Sequence, residues 1–159
     1  MPTETFESLV TRLGLRYCEG LQAISRKEKA LITAEDTRKI LGSANLDEDL
    51  RERLPNASRW DYVVAYSAAT KTLYFIEIHP AGSDSKAKEI LAKKAWLDDY
   101  LATEGQALKA FAKKRLFYWV VPSREGKRGH VPPKDSRIYK ILASKARNIR
   151  GPMAELKLT

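Results

Sequence analysis

Trp60-Asp-Tyr-Val-Val-Ala-Tyr66 and Thr72-Leu-Tyr-Phe-Ile-Glu-Ile-His79 are two runs of strand-forming residues, joined by the short polar stretch Ser67-Ala-Ala-Thr-Lys71. Aromatic and β-branched side chains suit a pleated, half-buried surface, so the segment predicts a β-hairpin, with Pro80 ending its second strand. Folding it symmetrically about Ala69 sets Tyr66 opposite Thr72, Val63 opposite Phe75, Asp61 opposite Glu77 and Arg59 opposite His79. Directly opposed side chains have Cβ atoms ~4.5–5.5 Å apart, and like charges there repel. Two facing carboxylates therefore call for a cation. A slip of one residue would move Asp61 to the other face of the sheet and dissolve the pair. In the competing reading, Arg59 neutralises both acids in a surface ion cluster. His79 shares a face with Glu77, as a metal ligand, a general base or simply a hydrogen-bonded residue.

Around this hairpin the periodicity turns helical. Phe6, Leu9, Val10, Leu13, Tyr17, Leu21 and Ile24 recur at helical spacing, which predicts a first helix over 3–24 capped by Thr3. Thr33-Ala-Glu-Asp36 resembles a capping box for a short second helix that Gly42 would close. Leu46 to Leu54 adds a turn or two before Pro55. After the hairpin come a helix from Asp84 to Leu101, an apolar strand Leu116-Phe-Tyr-Trp-Val-Val121, a loop from Ser123 to Pro133, and a last helix from about Asp135 to Arg147. A helix between the hairpin and the third strand implies a crossover, hence an α/β fold: a small mixed sheet with flanking helices. At 159 residues the chain predicts one domain. Its parts would be a helical stretch over 1–56, a core of hairpin, helix and strand over 57–122, and a basic loop with a helix over 123–159.

The helix after the hairpin has an apolar stripe of Ala87, Ile90, Leu91, Leu97 and Leu101, and Lys94 falls within it. A lysine there either snorkels to solvent or meets a negative partner. The functional option takes its ammonium to Asp61 and Glu77, where it would orient water or stabilise charge on a phosphate. Lys93, about 100° around the helix, reads as solvated.

Charge is unevenly distributed. The chain has 29 Lys and Arg against 20 Asp and Glu. Residues 105–159 hold 14 of the basic and 3 of the acidic residues, a balance of +11, which leaves −2 for residues 1–104. One basic segment beside a neutral one is the electrostatic footprint of a polyanion partner, and nucleic acid is the partner expected. Arg124, Lys127, Arg128, His130 and Lys134 in the 123–133 loop and just beyond it form the expected phosphate clamp. Tyr118 and Trp119 either stack bases or belong to the core. The single cysteine, Cys18, excludes a disulfide framework and a Cys-rich zinc site. No apolar signal core and no membrane-length apolar run is present, so the expected location is cytoplasmic, without membrane contact. Gly-rich phosphate loops, G-x-S-x-G and HExxH are absent.

A helix, a strand with Asp61, a hairpin to a strand with Glu77-Ile-His79, a helix and a further strand resemble the PD-(D/E)XK superfamily, the restriction-endonuclease-like fold. The likeness implies that Asp61 and Glu77 hold Mg2+ or Mn2+ for phosphodiester cleavage. The sequence also departs from that pattern, since His79 stands where the motif has lysine; Lys94 on the next helix is the expected substitute. Glu19 loosely matches an extra N-terminal acid. One strand expected before Asp61 is not visible. Gly42-Ser43, Asp47, Arg59-Trp-Asp-Tyr62, Phe75 to Ala81 and Lys94-Ala-Trp-Leu97 further resemble a family of small bacterial proteins, a likeness that carries no activity. The implied function is a metal-dependent nuclease with Asp61, Glu77, His79 and Lys94 at its centre. The alternatives are a nuclease-like nucleic-acid binder without catalysis, and a protein-interaction module such as an antitoxin or immunity partner.

Overall fold

The computed structural model describes residues 4–144 and 148–159. The first helix is far shorter than its apolar periodicity suggests: α1 spans Phe6–Arg12, capped by Thr5, whose hydroxyl accepts from the Ser8 amide. Gly14 turns the chain at a φ of +79°, and Tyr17, Leu21 and Ile24 pack from irregular backbone. The proposed cap Thr3 lies outside the described residues. A one-turn helix α2 (Arg26–Lys29) follows, then a strand β1 (Ile32–Ala34).

The second predicted helix does not form. Asp36 caps only a 3-10 turn, Thr37–Lys39, and Ile40–Asn45 is a strand, β2. Gly42 is no helix stop. It sits at a β-bulge with φ +147°, where an added Cβ would come within 2.4 Å of the Tyr17 ring. A strand therefore does precede Asp61 in the chain, paired with the strand that follows it, Tyr62–Ser67. Asn45 then caps α3 (Leu46–Asp49) by accepting from the Glu48 amide.

The hairpin forms in the predicted register. β3 (Tyr62–Ser67) and β4 (Lys71–Ile78) are antiparallel, with Val63 opposite Phe75 and Tyr66 opposite Thr72. The long helix α4 (Asp84–Ala102) and the short α5 (Gln106–Phe111) lead to β5 (Lys114–Val120), parallel to β4 with Glu77 beside Trp119. α6 spans Arg137–Ser144, and the predicted helix end at Arg147 lies outside the described residues. Two strands follow where none was expected: β6 (Ile149–Met153), parallel to β5, and β7 (Leu156–Leu158), parallel to β1. The main sheet thus has five strands in the order β2-β3-β4-β5-β6 and is mixed. The N-terminal part is accordingly α and β, not helical.

Both sheet faces are covered, so the period of two sorts β3 and β4 into two cores. Val63, Ala65, Leu73, Phe75 and Trp119 pack against the helices, chiefly α1 and α4. Tyr62, Val64, Tyr66, Tyr74 and Ile76 pack with Ile32, Leu156 and Leu158 of the two-stranded sheet. The Tyr74 hydroxyl fastens the chain end, bonding the Thr159 carbonyl at 3.0 Å and its amide at 3.1 Å.

Candidate functional site

On β4 every second residue, Leu73, Phe75 and Glu77, points under the helices, so the file that builds the core ends in a carboxylate. On β3 the matching file runs Ala65, Val63, Asp61. Glu77 is consequently fully buried, at 0% exposure. The strands part at this end, and the two acids bond across the gap. The Asp61 amide donates to Glu77 Oε1 at 3.0 Å, and the Ile78 amide donates to Asp61 Oδ2 at 3.0 Å. Among the described residues no group donates to Asp61 Oδ1. The Asp61 carbonyl accepts from the Leu46 amide at 2.8 Å, which ties this end of β3 to the start of α3.

Arg59 does not face His79 and does not neutralise the acids. Its guanidinium is taken by Asp47 (Nε to Oδ1, 3.1 Å) and by the Leu54 carbonyl (2.6 Å). The cation at the site is Lys93, whose ammonium donates to Glu77 Oε2 at 2.7 Å. Lys94 does not reach the acids; it is buried against Asp98 and the Phe117 ring. The expectation for these adjacent lysines is therefore reversed. Lys94 follows the stripe of Ala87, Ile90 and Leu97 onto the sheet, while Lys93 flanks it over the open end of β4. A second stripe marks that flank: Lys86, Glu89 and Lys93, at i, i+3 and i+7.

Glu89 was not foreseen. Its carboxylate accepts a 2.6 Å hydrogen bond from His79 Nε2, which puts a proton there, and Nδ1 lies 3.8 Å from Glu77 Oε2. Of the N-terminal acids, Glu28 bears on the charge of Asp61 and Glu19 does not. Tyr62 Oη donates to Glu28 Oε1 at 2.8 Å, whereas Glu19 is exposed in an irregular segment.

Electrostatics follow from this burial. Desolvation pushes the Asp61 carboxyl up to about 6, against the pull of Lys93 and the Ile78 amide. Burial and then the Asp61 charge hold Glu77 well above the usual carboxylate range, again opposed by Lys93. Burial works against the Lys93 ammonium, but Glu77 and Asp61 outweigh it and its pKa is raised. Burial lowers His79, with the Glu89 hydrogen bond acting the other way. When both carboxyls are ionised, two carboxylates and one lysine leave the pair one negative charge in excess, and Asp61 Oδ1 has no donor among the described residues. That donor set, hard and anionic, fits a divalent cation such as Mg2+ or Mn2+. Among the described residues no group of three His, Cys, Asp or Glu is placed to hold a metal by itself, so such an ion would need water or substrate oxygens as well.

The basic loop leaves β5 at the same end of the sheet. Arg124, Lys127, Arg128, His130 and Lys134 are all exposed. Arg124 and Lys127 exchange backbone hydrogen bonds at 2.9 and 3.0 Å around Glu125 (φ +53°) and Gly126 (φ +72°), a tight turn of the I′ kind. Arg128 has Glu155 as a 4.0 Å neighbour. Trp119 is core, buried with its indole donating to the His79 carbonyl at 2.7 Å. Tyr118 is half-buried, stacked on Tyr74. No helix among the described residues is long and apolar enough to cross a membrane. Comparison with family models, curated proteins and solved structures finds no match.

Proposed function

We propose that this protein is a metal-dependent nucleic-acid phosphodiesterase on the PD-(D/E)XK plan. The observation that carries the reading is the Asp61–Glu77 pair with the Lys93 ammonium 2.7 Å from Glu77 Oε2. That arrangement supplies the two acids and the lysine of the motif, the lysine coming from α4 while His79 holds the motif position. The order of the main elements supports it as well: α1, then β2, β3 and β4, then α4 and β5, with the short α2, β1, the 3-10 turn, α3 and α5 set between them.

In this reading Asp61 and Glu77 hold Mg2+ or Mn2+, which when bound lowers the pKa of water and polarises a phosphate. Lys93 orients the attacking water and offsets charge on the phosphate. His79, held through Nε2 by Glu89, presents Nδ1 as a proton acceptor beside Glu77. The 124–134 loop grips the backbone of the strand being cut. The alternative, a nuclease-like binder without catalysis, draws on the lysine absent from the motif position, and Lys93 beside Glu77 supports the catalytic reading instead. The test is cleavage of labelled single- and double-stranded DNA and RNA with Mn2+. Activity that Asp61→Asn and Glu77→Gln each abolish is the expected result. Wild-type protein that binds these substrates but cuts none of them, with any divalent ion, overturns the proposal.

A further inference from the structure

Only two charged side chains are buried among the described residues, Glu77 and Lys94. Glu77 belongs to the site above; Lys94, 4% exposed, does not. Its ammonium meets Asp98 Oδ1 at 2.5 Å and lies 4.0 Å above the centre of the Phe117 ring. The partner carboxylate of Asp98 is 41% exposed, so only the lysine is buried, and desolvating an ammonium costs free energy that an apolar side chain of similar volume would avoid. Leucine or methionine would continue the stripe of Ile90 and Leu97. The charge at this position therefore calls for a reason other than packing.

The surroundings supply one. A depression of about 330 Å3 opens over Lys94, bounded by Asp98, Lys109, Arg115, Phe117 and Asn148. Together with Lys94 these residues bring three cationic groups and one acidic group to it. Arg115 is fixed at the rim by its Nη1, which donates to the Lys109 and Ala112 carbonyls at 3.1 and 2.9 Å. Its Nε and Nη2 make no hydrogen bond among the described residues, and Lys109 is exposed with no ion-pair partner among them. A planar guanidinium held in place, a buried ammonium and an exposed one match the oxygens of a phosphate group. Phe117 precedes Trp119, the neighbour of Glu77, by two residues on β5. The depression is thus on the same sheet face but roughly 7 Å nearer the start of the strand, away from the basic loop.

We propose that this depression binds a phosphate-bearing anion, separately from the Asp61–Glu77 pair. The inference does not depend on the cleavage reading. The phosphate belongs either to a nucleic-acid backbone or to a small phosphorylated molecule, and the test distinguishes the two. Pyrophosphate is titrated into the full chain by calorimetry at low ionic strength, without divalent ions. Saturable binding at one site is expected, weakened about tenfold or more by Lys109→Ala and by Lys94→Met, each of which removes one charge-assisted hydrogen bond. Lys88→Ala removes a charge elsewhere on α4 and leaves the titration unchanged. A single-stranded oligonucleotide that displaces pyrophosphate identifies the occupant as a backbone phosphate. An oligonucleotide that binds while pyrophosphate stays identifies a small phosphorylated molecule. No saturable pyrophosphate binding, or equal weakening by Lys88→Ala and Lys109→Ala, overturns the inference.

Discussion

Lys93 and Lys94 are neighbours in sequence with opposite surroundings, and the difference is one step of about 100° around α4. Lys94 takes the core-facing position, so its charge is met by the partly exposed Asp98 and by an aromatic face. Lys93 takes the flank and reaches over the end of β4, where Glu77 is held without solvent. The cleavage reading predicts that Lys93→Met removes activity, by about a hundredfold or more if the ammonium stabilises developing charge on the phosphate. Lys88→Met, on the exposed face of the same helix, leaves it intact. Turnover of a labelled oligonucleotide with Mn2+ measures both, and a Lys93→Met protein as active as Lys88→Met removes the lysine from the mechanism. The acids were legible in the sequence because a period of two is rigid: once Tyr66 faces Thr72, Asp61 must share an end with Glu77. The lysine was not, because an amphipathic stripe shows which residues face the core but not which neighbour of a core position hangs over a strand end. The stripe of Lys86, Glu89 and Lys93 was the available signal.

At the scale of elements, the hairpin, α4 and β5 were readable and the N-terminal third was not. Local chemistry misled there: Thr33 to Asp36 is a sound start for a helix, and Ile40-Leu41-Gly42 a sound end. Tertiary pairing with β3 overrode both, and Gly42 serves a bulge against the Tyr17 ring. The same override shortens α1, since Gly14 breaks it while Tyr17 and Ile24 still reach the core. A glycine at a helix end tolerates alanine at modest cost. At this bulge, φ +147° and a 2.4 Å clash predict that Gly42→Ala costs about 2 kcal/mol or more. Urea unfolding checks it, and a destabilisation below about 0.5 kcal/mol would show that no such bulge constrains Gly42. The last two strands had no periodic signal long enough to find, being three and five residues. For the basic loop, the tight turn at Glu125-Gly126 presents Arg124, Lys127 and Arg128 together. Reversing their charges should flatten the log–log salt dependence of nucleic-acid binding, by about 0.9 in slope for each phosphate no longer neutralised. A slope unchanged in the triple variant places the binding surface elsewhere.

Across the whole molecule, charge is divided between a C-terminal third at +11, over residues 105–159, and a carboxylate pair buried at one sheet end. The first part is the basis of the proposed affinity for a polyanion; the second, offset in part by Lys93, costs stability while both acids are ionised. That cost has a definite sign. The Asp61 carboxyl lies at about 6 in the folded protein against 3.8 ordinarily, so between those values the native state holds a proton that the unfolded chain has released. Stability therefore falls as pH rises through this window, and the penalty is fully present above about 6. Glu77, also raised, adds to it with the same sign. His79 acts oppositely, because its lowered pKa makes the unfolded chain the first to take up a proton on acidification. Comparing wild type with Asp61→Asn cancels the histidine contribution. The full rise in pKa corresponds to about 3 kcal/mol at about 1.36 kcal/mol per pH unit, and partial solvent access at Asp61 brings the expectation to about 1–2 kcal/mol. At about pH 8 the Asp61→Asn protein should melt higher than wild type in the absence of metal, and the two should converge only as the pH falls below 3.8, where Asp61 is protonated in both the folded and unfolded states. Mn2+ should raise the wild-type melt at the higher pH, where the acids are ionised, and have little effect at the lower, where protons compete. It should do nothing for Asp61→Asn. If the acids served only as structural partners of Lys93, the substitution would lower the melt at the higher pH and Mn2+ would move neither protein, an outcome that would end the metal-site reading.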